Sequence, residues 1–267
     1  MSGEDYIIRG GVSGRERLKI LAAGLAPYTN SLLDDAGIAP GMGVLDAGCG
    51  GGDVSVELGR RVGDAGRVVG IDMDIAKIDL AREEASARGV TNIEFRAADF
   101  MVENIRGAFD AVYARFLLSH LKDPAAALKA MRAALRPGGM LIVEDVDFGG
   151  HFCHPPRASF DNYVAWYQEA ARRRGADALL GRRLPELVAG AGFEKLNARA
   201  QNPAAFAGPI KQMAALTLSA IADSVVAEKV ADRTAVEESI RDLEEASADP
   251  SVFMSVPRIV QVWARAS

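Results

Sequence analysis

The chain has 267 residues, of which 49% are hydrophobic and 25% are charged, and its formal net charge at pH 7 is −5. This length and composition suit one compact α/β unit with a cap, and the acidic balance argues against nucleic acid as a partner, because phosphate binding needs a basic surface. No apolar run approaches the ~20 residues that span a bilayer, and charges stand near the N-terminus where a signal peptide needs an apolar run. With two cysteines and no disulfide framework, the sequence predicts a cytoplasmic location.

The hydrophobic pattern of the first half alternates between the periods of helices and strands. A helix is predicted over residues 14–37, with Pro27 as a candidate break. Strands are then predicted over residues 44–47, 68–72, 93–97, 109–113 and 140–144, and helices between them over residues 54–61, 75–88 and 124–135. Such alternation predicts a parallel sheet with helices on both faces.

After residue 147 the pattern becomes mainly helical. Helices are predicted over residues 158–174, 180–191, 209–230 and 234–246. A strand is predicted over residues 194–200 and a last one over residues 258–264. The apolar residues of the helix over 209–230 indicate either an apolar portion of a substrate or ordinary core packing.

A glycine-rich turn follows the first predicted strand, in the run V-L-D-A-G-C-G-G-G at residues 44–52. Glycines allow backbone N–H groups to approach a ligand closely, because they carry no Cβ atom. The next strand ends in Asp72, and an acid in this place can accept hydrogen bonds from ribose hydroxyls. Together the two strands predict a nucleotide-shaped pocket.

The spacing of the glycines argues against a phosphate-bearing nucleotide. The dinucleotide pattern G-x-G-x-x-G needs a third glycine where Asp53 stands, and an acid at the start of a helix would repel a diphosphate. A Walker-type loop is also absent, since no G-K-[ST] follows. A nucleoside ligand without phosphates remains.

The pattern D-x-G-x-G-x-G from Asp46 to Gly52, with Asp72 downstream, resembles the first two motifs of class I S-adenosylmethionine (SAM) methyltransferases. The runs A-A-D-F at 97–100, F-D-A-V-Y-A at 109–114 and L-R-P-G-G-M-L at 135–141 resemble later motifs of that family, so the resemblance covers roughly residues 40–147. The broad likeness is to small-molecule enzymes of the ubiquinone/menaquinone-biosynthesis type.

The resemblance implies an α/β, Rossmann-like fold: a seven-stranded, mostly parallel sheet with an antiparallel last strand, helices on both faces and a helical lid. It also implies a division of the chain. Residues 1–38 would form an N-terminal helical segment that closes over the cofactor, and residues 39–200 the SAM-binding core. Residues 201–250 would form the lid insertion, and residues 251–267 the final strand of the core sheet.

The resemblance further implies a set of cofactor-binding residues. Asp72 would hold both ribose hydroxyls, with Met73 packed on the adenine face, and Asp99 would accept from the adenine amino group. Three of the positions have an alternative role. Asp72 would then cap a helix, Asp99 would form a turn, and Arg115 would make a surface ion pair. The glycines would approach the amino-acid end of SAM. The complete set is Asp46, Gly48, Gly50, Asp72, Met73, Asp99, Phe100 and Arg115.

Two candidate catalytic residues come from a narrower likeness. The run R-F-L-L-S-H-L at 115–121 resembles a segment of phosphoethanolamine methyltransferases, in which a histidine works with a tyrosine from an N-terminal Y-x-x-x-G-G element, and Y-I-I-R-G-G at 6–11 fits that element. We hypothesise that His120 is a general base and that Tyr6 orders the site. Alternatively, His120 only packs under the roof. Phe116 stands where the phospho-base enzymes tend to be polar, which argues against phosphoethanolamine itself.

A metal site is not expected. His151, Cys153 and His154 cluster within four residues, but closed zinc sites draw their ligand pairs from separated elements. The loop over residues 151–156 is instead expected to line the mouth of the substrate site, because it follows the fifth strand.

The sequence therefore predicts a cytoplasmic, SAM-dependent methyltransferase that acts on O, N or C of a small organic molecule and releases S-adenosylhomocysteine. A SAM-fold protein with other chemistry, such as cyclisation, and a SAM-binding partner subunit without chemistry are the alternatives. Neither nucleic acid nor a membrane is expected as a partner, and a homodimer through the lid helices is possible.

Overall fold

A computed structural model describes residues 12–103 and 105–267 of the protein. The helices in the described part are α1 Val12–Asp35, α2 Asp53–Val62, α3 Ile75–Ala87, α4 Pro124–Ala134, α5 Ala158–Arg173, α6 Leu184–Gly190, α7 Met213–Ala227 and α8 Arg233–Ala248. The strands are β1 Gly43–Ala47, β2 Arg67–Asp72, β3 Ile93–Ala97, β4 Phe109–Arg115, β5 Leu135–Asp147, β6 Cys153–His154, β7 Phe193–Gln201, β8 Ala204–Ala205, β9 Phe253–Ser255 and β10 Arg258–Ala266.

Seven strands form one sheet in the order β3-β2-β1-β4-β5-β10-β7. The neighbouring strands from β3 to β5 are parallel, whereas β10 runs antiparallel to both β5 and β7. The predicted Rossmann-like sheet with an antiparallel last strand is therefore confirmed. Because the strand order reverses between β1 and β4, a crevice opens at their carboxyl ends, where open α/β sheets bind ligands.

Apolar side chains cover both faces of this sheet. On one face, Leu128 of α4 and Leu184 of α6 pack in the cluster that contains Val112 and Leu141. On the other, α1 and α2 bury Leu32, Leu33, Val54 and Leu58 against Val44, Ala111 and Ile142. Strands that are covered on both sides read as continuous apolar runs, which explains why β1 and β4 are visible in the sequence.

A third apolar cluster joins α5, α7 and α8 into a helical layer. It contains Tyr163 of α5, Leu218 and Ile221 of α7, and Val236 and Leu243 of α8. The layer thus begins within α5, whereas the predicted lid begins at residue 201. The division of the chain into 1–38, 39–200, 201–250 and 251–267 remains a prediction.

One helical stretch in the described residues, Pro209–Ala227, is apolar and long enough to cross a membrane. Core helices of globular proteins pass the same test, and 56% of its most apolar window is buried inside the protein. It contains α7, whose Leu218 and Ile221 belong to the cluster just described. We therefore assign this stretch to the helical layer.

Several elements differ from their prediction. Helix α1 continues through Pro27 instead of breaking there, and the predicted helix over 180–191 divides into a 3-10 turn, Leu180–Arg183, and α6. The short strands β6, β9 and β8 form a second sheet that was not predicted. Strands of two or three residues carry too little alternation to be recognised in a sequence.

Candidate active site

A cavity of about 210 Å³ lies at the carboxyl ends of the central strands. Its floor comes from the β1–α2 turn and the ends of β2 and β4, and its other walls from α1, α3, α5, α7 and the segment after β9. Six of the predicted residues line it, namely Asp46, Gly48, Gly50, Asp72, Arg115 and His120. The cavity therefore occupies the crevice that the reversal of strand order creates.

The glycine turn is held by hydrogen bonds to β2. The N–H groups of Gly48 and Cys49 donate to the carbonyl of Ile71 at 2.7 and 3.0 Å. Gly48 has a φ of +71°, and a Cβ added to it would lie 2.9 Å from Leu117 Cδ1. Gly50 has a φ of +53° and open space where its Cβ would stand. The backbone at Gly50 is thus accessible to a ligand in a way that a larger residue would prevent.

The carboxylate of Asp72 faces this turn. It accepts one hydrogen bond from the Gly50 N–H at 3.0 Å and another from the Asp74 N–H at 2.9 Å. Helix α3 is capped by Asp74, whose side chain accepts from the Ala76 N–H, so the cap alternative for Asp72 is not needed. Since a carboxylate oxygen has more than one acceptor position, Asp72 can also accept from a ligand.

Two further acids lie in the cavity wall beside Asp72. Asp46 is buried and accepts a 2.5 Å hydrogen bond from Ser55, and burial raises the pKa of its carboxyl group to about 6. Burial also raises the pKa of Asp53. Three carboxyl groups around the turn favour a cationic ligand and disfavour a phosphate.

A buried carboxylate, that of Glu144 on β5, connects α1 to the sheet below the cavity. Thr29 of α1 donates to Glu144 Oε1 at 2.7 Å, and the hydroxyl of Tyr113 on β4 donates to the same oxygen. Gln261 of β10 donates to Oε2 at 2.7 Å. Because α1 also lines the cavity, this network fixes part of the roof relative to the floor.

Arg115 ends β4 at the cavity. Burial alone would lower its pKa, but Tyr113, Glu144 and nearby acids including Asp53 raise it above its ordinary value. The next residue, Phe116, has a φ of +52° and its ring centroid lies 5.7 Å from the Arg115 guanidinium. A bulky residue in the left-handed region costs about 1–3 kcal/mol, and such strain is concentrated at functional sites.

Aromatic side chains form another part of the cavity wall. Phe148, after β5, stacks on Tyr167 of α5 with ring centroids 3.9 Å apart and 5° between the ring planes. The ring centroid of Tyr163 on α5 lies 6.0 Å from that of Phe148, and Tyr163 is hydrogen-bonded to Thr217 of α7. Burial raises the pKa of Tyr167 to about 12 and also raises that of Tyr163, so both phenols are protonated at neutral pH.

Three predicted cofactor residues do not line the cavity. Met73 is 48% exposed, and Phe100 is buried within the apolar cluster of the α4 face. Asp99 accepts a hydrogen bond from the Met101 N–H at 2.9 Å, which is the turn-forming role named as its alternative. Their cofactor roles remain predictions.

Of the two candidate catalytic residues, the structure describes one. His120 ends a 3-10 turn, Leu118–His120, and lines the cavity. Burial, and then the positive charges of Lys77 and Arg17, lower its pKa to about 4. Its imidazole is therefore neutral at pH 7, as a base must be, but it binds a proton only weakly. Tyr6 lies outside the described residues.

The cluster considered for a metal is divided between different surroundings. The ring of His151 packs edge-on against Phe148 and Phe160, with centroids 4.9 and 5.4 Å apart. Cys153 and His154 lie in β6, in the second sheet. Within residues 12–103 and 105–267, no group of three or more His, Cys, Asp or Glu side chains is arranged to hold a metal ion.

Sequence reasoning missed the side chains that helices bring to the cavity. Arg17 and Leu18 come from α1, Tyr163 and Tyr167 from α5, and Thr217 from α7. The two tyrosines stand four residues apart and so share one face of a helix, which was the available signal. Which face turns towards the sheet depends on tertiary packing and is not readable from spacing alone.

Comparisons with known proteins identify the family of the chain. A family described as "Methyltransferase domain" matches residues 38–180 of the chain, which is more than half of it. A relative named ubiquinone biosynthesis O-methyltransferase, from Acinetobacter baylyi, is 34% identical over 120 residues. That match covers 44% of this chain and 49% of the relative, so the chain spans about half the length of the curated relatives that it matches.

Solved structures share the fold at low sequence identity. A putative methyltransferase from Bacillus halodurans has a TM-score of 0.59 at 19% identity, covering 89% of this chain and 97% of that one. The [4+2]-cyclase SpnF has a TM-score of 0.56 at 22% identity, covering 90% and 80%. A third structure is that of a phosphoethanolamine N-methyltransferase from Haemonchus contortus in complex with S-adenosylhomocysteine. It has a TM-score of 0.56 at 17% identity, and the match covers 90% of this chain and 52% of that one. The chain belongs to the class I SAM-dependent methyltransferase family.

Proposed function

We propose that the protein transfers a methyl group from SAM to O, N or C of a small organic molecule. One observation carries this proposal: a single cavity joins the acidic glycine turn to an aromatic wall. The first feature suits an adenosine-bearing cation, and the second suits the apolar body of an acceptor.

The residues of the turn fit the cofactor. The open space at Gly50 leaves room for a ligand against the backbone, and the acids Asp46, Asp53 and Asp72 suit a sulfonium better than a diphosphate. We propose that Asp72 holds the ribose hydroxyls and that Arg115 pairs with the carboxylate of the amino-acid end. Its raised pKa keeps Arg115 charged for that task.

When bound, SAM supplies a methyl group that is already activated for transfer. The remaining work of the chain is to orient an acceptor and to exclude water. In this proposal Tyr163, Tyr167 and Phe148 form the wall against which the acceptor lies. His120, with its neutral imidazole, takes the proton that the acceptor releases when the methyl group is transferred. The ordering role of Tyr6 remains a hypothesis.

The acceptor is proposed to be a small molecule and the location to be cytoplasmic. The identity of the acceptor atom (O, N or C) and the formation of a homodimer both remain predictions. Light scattering on the purified protein would measure the mass of the particle in solution and thereby test the dimer.

Product mass tests the proposed function. Purified protein would be incubated with SAM and a panel of phenols, amines and activated carbons, and the products analysed by mass spectrometry. A gain of one methylene unit, with one S-adenosylhomocysteine formed per product, supports the proposal. A rearranged product without gain in mass would indicate cyclisation, and cofactor binding without methylation of any acceptor would indicate a partner subunit.

A further inference from the structure

Among the residues that the structure describes, four basic side chains line the cavity: Arg17, Lys19, Lys77 and Arg115. The charge of Arg115 acts on Asp46 and Asp53 at the glycine turn, and that of Lys19 acts on Asp53. Arg17 of α1 acts instead on the two tyrosines of α5 and, together with Lys77, on His120. Under the proposed function, Arg115 belongs to the cofactor, and Arg17 faces the acceptor.

Arg17 is unusual for a cation in a cavity wall, because it is only 8% exposed. Burying a guanidinium is costly unless an anion or several acceptors surround it. Arg17 does interact with other groups of the protein, but a guanidinium has five N–H donors in a planar fork and can hold a further anion at the same time.

The groups around Arg17 define the rest of the ligand. Phe148 and Tyr167 present stacked rings, and Tyr163 stands beside them. Apolar side chains also line the cavity, among them Val146, Met213 and Ile259. A flat apolar body gains most from such a surface, since aromatic rings pair in stacked or edge-to-face arrangements.

We propose that the methyl acceptor is an aromatic carboxylate, with its ring against Tyr163 and Tyr167 and its carboxylate paired with Arg17. This inference rests on the proposed function and specifies its substrate class. Arg17 acts as a specificity residue: it holds the acid group, and thereby directs the opposite end of the ring towards the glycine turn and the cofactor.

Binding to the protein saturated with S-adenosylhomocysteine tests the inference. The probes are 4-hydroxybenzoate, 3,4-dihydroxybenzoate and 4-hydroxycinnamate, each compared by calorimetry with its neutral amide. We expect at least one acid to bind about tenfold more tightly than its amide, because a charge-assisted pair replaces a neutral hydrogen bond. The variant Arg17→Met should bind that acid and its amide equally, and Arg17→Lys should restore part of the preference.

Arg172→Met is the matched control. It removes the same charge from an exposed position on α5, where Arg172 pairs with Glu169, and should keep the preference for the acid. The inference is overturned if acids and amides bind equally, if no acid binds, or if the preference survives in Arg17→Met. It is also overturned if Arg17→Met weakens S-adenosylhomocysteine instead, which would assign Arg17 to the cofactor. The proposed function fails separately, if the wild-type protein binds no S-adenosylhomocysteine.

Discussion

At the end of β2, the orientation of Asp72 is fixed before any ligand arrives. One of its oxygens accepts from the Gly50 N–H and the other from the Asp74 N–H, at 3.0 and 2.9 Å. A carboxylate that is held in this way loses little conformational freedom when ribose hydroxyls bind to it. Asp72 is therefore the residue whose loss should affect cofactor affinity most directly.

We expect Asp72→Ala to raise the dissociation constant of S-adenosylhomocysteine at least tenfold, since hydrogen bonds to a charged group contribute about 1.5–3 kcal/mol. Calorimetry measures this change. Asp79→Asn is the control, because Asp79 is an exposed acid on the following helix, α3, where it pairs with Arg82. An unchanged affinity in Asp72→Ala would remove the ribose assignment.

The pKa of His120, lowered to about 4, leads to a prediction about pH. If His120 is the base, its protonation state should cause no change in turnover between pH 6 and 8, because the imidazole is neutral throughout this range. His120→Ala should then lower turnover by roughly 10², the usual contribution of a general base. The experiment measures initial rates at saturating SAM across that range. Unchanged turnover in His120→Ala would show that the side chain only packs under the roof.

At the scale of elements, α1 is the part of the roof with a direct hydrogen bond to the core of the sheet. Thr29 reaches the buried Glu144 of β5, while Leu32 and Leu33 pack on the sheet. Arg17 and Leu18, earlier on the same helix, line the cavity. Anchoring of the C-terminal half should therefore control how well the N-terminal half covers a ligand.

Thr29→Val should lower the free energy of unfolding by about 1–3 kcal/mol, because the hydrogen bond to the buried carboxyl group of Glu144 is lost without a change in side-chain shape. Denaturant unfolding measures the loss, and hydrogen exchange should show weaker protection in α1. Thr91→Val is the control, since Thr91 is exposed. Equal stability of both variants would contradict the anchoring role of the Glu144 network.

The parts of the molecule that could be predicted from the sequence are those with a local sequence pattern. The strands β1, β2 and β4 are buried apolar runs next to glycines, so both the sheet and the turn at Gly50 could be predicted from the sequence. Tyr163 and Arg17 could not be assigned to the site, because their place depends on how α5 and α1 pack over the sheet. Beyond the glycine turn, the site is built by long-range contacts, which local patterns do not encode.

For the molecule as a whole, buried ionisable groups give the stability two opposing dependences on pH. Burial raises the pKa of the Asp46 and Asp145 carboxyl groups to about 6. As the pH falls, the folded protein therefore binds these two protons before the unfolded chain does, and the cost of burying the charged carboxylates disappears. Burial lowers the pKa of His151 to about 3 from an ordinary value of 6.5. The unfolded chain therefore binds this proton first, and stability is lost as the pH falls below 6.5.

Replacing His151 separates the two effects. His151→Phe keeps an aromatic ring beside Phe148, while the contributions of Asp46 and Asp145 stay the same in both proteins and cancel in the comparison. Between pH 7.5 and pH 5, the wild type should lose about 2 kcal/mol of unfolding free energy relative to the variant. Urea unfolding at both pH values measures the difference. A constant difference between the two proteins would show that His151 is not held neutral by burial.

Titration of the purified protein with S-adenosylhomocysteine in a calorimeter tests the central claim most directly, because the glycine turn, its acids and the family assignment all concern one ligand. We predict saturable binding of one molecule per chain, with no competition from NAD or FAD. Absence of binding, together with saturable binding of a pyridine or flavin dinucleotide at the same turn, would contradict the account.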